Sequence, residues 1–124
     1  MKKRLRLRRR GQIQEVLRSR RVLVSPTVVA YARPAPSEGR LRVAVAVSRN
    51  LKGAVRRSRA RRRLREAARA GLLAGGSDAE HLGIGYDVVV IARPPALDVA
   101  FTELVATMET VRRRLGESRM SGGG

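Results

Sequence analysis

The chain has 124 residues, with 28 Lys and Arg against 10 Asp and Glu, a net charge of +18 and a pI near 12.0. That length suits one domain with a single core, and the charge makes an acidic polymer the expected partner without specifying a fold. Cysteine is absent, which excludes disulfides and thiolate zinc sites; the single imidazole, His81, sits in a Gly/Ser/Asp-rich stretch and reads as a solvated loop residue.

Residues 1–10 hold seven basic side chains and no acid, the composition of a flexible basic arm. No apolar segment of roughly 7–15 residues follows this start, so a signal peptide is not expected. No run approaches the roughly 18 apolar residues of a membrane span, and the expectation is a cytoplasmic protein with no membrane contact. The folded domain is expected over residues 11–115, and 116–124 as a disordered tail.

From Gly11 to Arg20, Ile13, Val16 and Leu17 recur at helical spacing, which predicts a short amphipathic helix packed on the core. The β-branched stretch Thr27–Arg33 lies between Pro26 and Pro34 and predicts a strand. Tyr31, its one aromatic, suits either a half-buried strand position with a wet hydroxyl or a ligand contact. A turn-rich connection over 32–40 follows. Leu41–Ser48 alternates strictly, with Leu41, Val43, Val45 and Val47 on one side and Arg42, Ala44, Ala46 and Ser48 on the other, a strand with one small-residue face.

Lys52–Arg69 is the densest charge in the chain: nine of its eighteen residues are basic and only Glu66 opposes them. Ala60, Leu64, Ala67 and Ala68 make an apolar helical stripe, and Ser58, Arg62, Arg65 and Arg69 fall opposite it. One face can therefore dock on a core while the other meets phosphates of a nucleic-acid backbone. Arg57 falls near the Leu64 stripe, so it either precedes the helix or snorkels past the core. Gly71 is placed to stop this helix, and residues 74–85, with four glycines, read as a flexible connection.

Tyr86–Ala92 is nearly all apolar, as an interior strand covered on both faces would be, and a helix separates it from the Leu41 strand, which permits a parallel βαβ unit. Beyond Pro94 and Pro95, Leu97, Phe101, Leu104, Met108, Val111 and Leu115 predict a long amphipathic helix, with Asp98 as N-cap and Arg112–Arg114 near its negative end. The expected fold is therefore α+β, a single-domain α/β sandwich in the order helix-strand-strand-helix-strand-helix with a mixed sheet.

The run Ala46–Arg69 resembles the signature of the bacterial ribonuclease P protein subunit, Gly-Asn-Ala-Val-x-Arg-Asn-Arg-x-Lys-Arg-x-x-Arg. Ala54, Val55, Arg57, Arg59, Arg62 and Arg65 agree with it, and Arg61 stands conservatively for Lys. Lys52 and Gly53 replace the Gly-Asn pair, and Ser58 replaces the central Asn, keeping a hydroxyl but losing the amide. The resemblance implies a left-handed βαβ crossover, where general rules favour the right-handed one. It further implies that Arg57, Ser58, Arg59, Arg61, Arg62 and Arg65 meet the catalytic RNA subunit. Ile13, Leu17, Tyr31 and Ser48 would then line a cleft for the single-stranded leader of precursor tRNA. Ile13 and Leu17 stand where the family commonly has aromatics, so apolar contact replaces base stacking at both positions.

The ten acids are scattered singly, and neither a phosphate-cradling Gly loop nor a nucleophile beside a His is present. The polypeptide alone is not expected to catalyse. Phosphodiester hydrolysis commonly uses metal ions on the reacting phosphate, and the resemblance implies that Mg2+ is held by the RNA subunit, with the RNA and precursor tRNA as partners and no protein partner. The alternative from another class is a ribosomal protein or general RNA chaperone with a basic RNA-binding helix. A DNA-binding module ranks behind both, because the motif has no Asn or Gln to read adenine edges.

Overall fold

Strands β1 (Arg20–Val24), β2 (Val28–Pro34), β3 (Leu41–Val47) and β4 (Tyr86–Ala92) make one mixed sheet in the order β1-β2-β4-β3. The computed structural model describes residues 10–34, 41–73 and 85–120. Its helices are α1 (Arg10–Leu17), α2 (Ala54–Ala67) and α3 (Phe101–Met120). Of the basic arm expected over 1–10, residues 1–9 lie outside the described residues and Arg10 begins α1; the connections over 35–40 and 74–84, which include His81, and residues 121–124 also lie outside them.

The expected βαβ unit is present: β3 and β4 pair in parallel from Leu41 opposite Tyr86 to Val47 opposite Ala92, joined through α2. Strand β2 runs antiparallel to β4 on its other side. Helices α2 and α3 cover one face of the sheet. Val43, Val88 and Val90 from the strands meet Leu64, Leu104, Met108 and Val111 in the main core, and all seven are fully buried. Helix α1 covers part of the opposite face, where Val16 is buried against Ala44 and Val89. Being covered on both sides, β4 is buried at every residue except the half-buried Ile91, as its continuous apolar run requires.

Several details differ from the sequence reading. Strand β1 is additional, and the first helix ends at Leu17 instead of running to Arg20. A register shift between Arg21 and Leu23 against β2 lets the consecutive residues Val22 and Leu23 both be buried, so the period of two that announces a strand is missing. Gly71 does not stop α2; it lies inside a π-turn, Ala68–Leu72, that continues the helix. A Cβ there would stand 2.6 Å from the Val105 carbonyl oxygen and 2.8 Å from Met108 Cβ, so this glycine permits close approach of α3. Asp98 does not cap the last helix. Its amide closes a 3-10 turn, Pro94–Leu97, by donating to the Pro95 carbonyl at 3.0 Å, and α3 begins at Phe101 and runs past Leu115 to Met120. Leu97 therefore belongs to the turn, and Phe101 remains 40% exposed.

The sheet carries one fully buried carboxylate, Asp87 on β4. Its register partners are Arg42 on β3 and Arg33 on β2. Arg42 grips it as a fork, Nε to Oδ1 at 2.9 Å and Nη2 to Oδ2 at 3.0 Å. Arg33 Nη2 stands 3.5 Å from Oδ2, and its Nη1 reaches Glu15 on α1 at 2.5 Å. This charge chain spans three strands and α1. Replacing Asp87 by Ala would remove the buried carboxylate that both ends of the Arg42 fork grip, with the Arg42 side chain only 15% exposed, and should destabilise the fold by about 3–5 kcal/mol. Glu15→Gln breaks only the solvent-exposed end and should cost about 0–1 kcal/mol; urea unfolding of the two variants checks the difference.

Candidate nucleic-acid interface

Helix α2 begins behind Gly53, whose φ of 93° lies in the left-handed region that glycine tolerates without a steric penalty. From there, helical periodicity sorts the basic side chains into three sets. Ala60, Leu64 and Ala67 are fully buried and define the inner face. Ser58, Arg59 and Arg62 are exposed, whereas Arg61 and Arg65 are half-buried. Ala54 and Val55 join Ser58, Arg59 and Arg62 around an open concavity on the outer face. Arg69, at the end of this surface, is paired with Glu66 at 2.7 Å.

The third set turns inward. Arg57 is helical and half-buried, and its Nη1 donates to the carbonyl oxygens of Ser48 and Leu51, both at 2.9 Å. Arg57 thus lies within the helix and reaches back along the preceding turn. Arg63 donates from Nε to the Ala96 carbonyl at 3.1 Å and from Nη2 to the Val99 carbonyl. Carbonyl dipoles thus face two guanidinium groups of the basic run, which lowers the cost of packing so many like charges together. Of the six residues assigned to the RNA side, Ser58, Arg59 and Arg62 share one exposed face, Arg61 and Arg65 are half-buried beside it, and Arg57 is directed at the main chain.

Sequence reasoning missed two features of this helix. Val55 is 83% exposed, an apolar side chain among cations on the outer face of α2; its place one turn before Arg59 and two before Arg62 was the available signal. The inward turn of Arg63 had no local signal, because its acceptors lie 33 and 36 residues further along the chain.

The cleft residues are divided in the same way. Ile13 and Tyr31 pack with Ile91 around Val16, Ala44 and Val89 beneath α1. Leu17 is 38% exposed and does not belong to that cluster. Ser48 follows β3 on the face that carries Ala44 and Ala46; its amide donates to the Ala92 carbonyl at 2.8 Å, and its Oγ accepts from the Asn50 amide at 3.2 Å. Helix α1 makes most of its contacts with β1, β2 and β4 and reaches β3 where Val16 meets Ala44. Beyond that contact Ala46 and Ser48, both half-buried, continue the small-residue face of β3, and this strip beside α1 is termed the trough.

Residues 1–116 match the family model described as Ribonuclease P. The chain belongs to the ribonuclease P protein family. It is 40% identical over 105 residues to the ribonuclease P protein component of Chloroflexus aurantiacus, covering 84% of this chain and 72% of that protein. Identity to the corresponding protein of Symbiobacterium thermophilum is 39% over 116 residues, 94% of this chain and 95% of the relative. The fold is that of the Staphylococcus aureus RNase P protein, with a TM-score of 0.65 at 23% identity over 88% of this chain and 93% of that one. Family membership favours the ribonuclease P reading over a ribosomal protein or general RNA chaperone. Among the described residues, no three His, Cys, Asp or Glu side chains come together. No described helix is long and apolar enough to cross a membrane.

The sorting of arginines can be tested by stability. Arg63→Met removes two bonds to buried-turn carbonyls and should cost about 1–3 kcal/mol, whereas Arg62→Met should change stability by less than about 0.5 kcal/mol. Parallel urea titrations measure both.

Proposed function

We propose that this chain is the protein component of ribonuclease P. It binds the ribonuclease P RNA through the outer face of α2 and receives the 5′ leader of precursor tRNA in the trough between α1 and β3, promoting removal of the leader. One observation carries this reading: Ser58, Arg59 and Arg62 stand together on an exposed face while Ala60, Leu64 and Ala67 anchor the same helix in the core. Guanidinium forks on such a rigid support match phosphate oxygens bidentately. Arg61 and Arg65 widen the grip from the flank, and the exposed Val55 covers an apolar ribose or base surface. Bond breaking, and the magnesium ions it uses, belong to the RNA. The protein's part is to bind, orient and neutralise charge, so it is a non-catalytic subunit.

Ala46 with Ser48 leaves room for an extended strand, and the half-buried Ile13 and Tyr31 would meet it from the α1 side. Leu17, exposed at the end of α1, supplies an apolar edge. With Tyr31 the only aromatic of the four residues, leader binding relies on shape and on the surrounding positive charge more than on ring stacking.

Reconstitution tests the reading. Added to ribonuclease P RNA at limiting magnesium, the folded chain should stimulate cleavage of the 5′ leader, and no stimulation would remove the proposal. In the same system, log affinity should fall against log salt with a slope of about 0.7–0.9 per phosphate contacted. Arg62→Ala combined with Arg65→Ala should flatten the log–log slope by about two; an unchanged slope excludes both from the interface.

A further inference from the structure

We infer that Arg57, the first arginine of the motif, is a positioning residue: it locks the turn between β3 and α2, so that the trough wall and the outer face of α2 form one rigid surface. This deepens the ribonuclease P reading and rests on it. Resemblance alone assigns Arg57 a phosphate. The geometry instead directs its Nη1, which carries two protons, at the Ser48 and Leu51 carbonyl oxygens, each at 2.9 Å.

The turn that these bonds close is short; apart from Arg57 it is held at its start by the Ser48 amide on the Ala92 carbonyl at 2.8 Å and within itself by two local bonds. The Leu51 amide donates to the Ser48 carbonyl at 3.1 Å, and the Asn50 amide to Ser48 Oγ at 3.2 Å. Leu51 is 1% exposed, so one end of the turn is sunk in the core. The other end is Gly53, at φ 93°, where the missing side chain leaves the backbone free to pivot. Arg57 bridges this pivot. Its own amide donates to the Gly53 carbonyl at 2.9 Å while its side chain holds Ser48 and Leu51. The exposed residues Ser58 and Arg62 lie one and five positions further along the same helix. Ser48 continues the small-residue face of β3. A single guanidinium therefore sets the angle between the proposed leader site and the proposed RNA-subunit site. Its positive charge serves that geometry, and it adds nothing to the count of phosphates neutralised.

The test uses the full chain assembled with ribonuclease P RNA, comparing the wild type with R57A, R57Q and R62A. Affinity for the RNA is measured across a salt series, and KM is compared for precursor tRNAs with a long leader and with a minimal one. R57A should weaken RNA binding severalfold at every salt concentration with an unchanged log–log slope, and should reduce the preference for the long leader. R62A should lower the slope by about 0.7–0.9. Should R57A fail to fold by circular dichroism, R57Q carries the test, because its amide still offers two protons but no charge. Its slope should match the wild type, and it should keep part of the leader preference. A slope reduced in R57A or R57Q as much as in R62A makes Arg57 a phosphate contact and overturns the inference, as does a leader preference that neither variant alters. If the wild type itself fails to stimulate leader cleavage, the ribonuclease P reading falls and this inference with it. A slope loss at Arg57 in an active holoenzyme overturns the positioning role alone.

Discussion

The arrangement of the sheet depends on one buried charge. Asp87 has no contact with solvent, and a carboxylate there is tolerable only if cations reach it with good geometry. They do so because Arg33 and Arg42 lie directly across from it on the two neighbouring strands. A slip of one residue on either strand would turn the arginine to the other face and strand the carboxylate. The ion pair thus ties the antiparallel β2–β4 pairing and the parallel β3–β4 pairing to one register. Through the bond from Arg33 to Glu15, it also holds α1 above that register.

The second constraint is self-repulsion. A helix with this many cations opposes its own packing, and the fold reduces the problem by giving the arginines different work. Arg57 and Arg63 turn towards main-chain carbonyls and join α2 to its two neighbouring turns. Arg69 pairs with Glu66. Ser58, Arg59 and Arg62 are left on the surface. The fully buried Ala60, Leu64 and Ala67 hold the helix against the sheet while this surface stays exposed.

Two glycines show how closely the helices are set by their neighbours. Gly53 takes a positive φ at the entry to α2, and Gly71 admits the backbone of α3 where a methyl group would collide with the Val105 carbonyl. Gly71 was expected as a helix stop, and its meaning changes in the structure because the atoms that crowd it belong to a helix more than thirty residues away.

Much of this protein was legible from the sequence by itself, because the signals are local. Strict alternation over Leu41–Val47, the apolar run of β4, the stripe of Ala60, Leu64 and Ala67, and the spacing of Leu104, Met108, Val111 and Leu115 each follow from the period of one element. The density of arginine names a polyanion before any fold is known. Tertiary structure decided what no local period encodes. The bulge in β1 erased the alternation that would have announced that strand, and the Pro94–Leu97 turn took the place of the cap expected at Asp98. The partners of Asp87 lie on strands distant in the chain, and the two carbonyl pairs that draw Arg57 and Arg63 inward exist only once α2 is docked. Periodicity tells which face a residue occupies. The atoms it meets there are supplied by segments far away in sequence, and only packing brings them together.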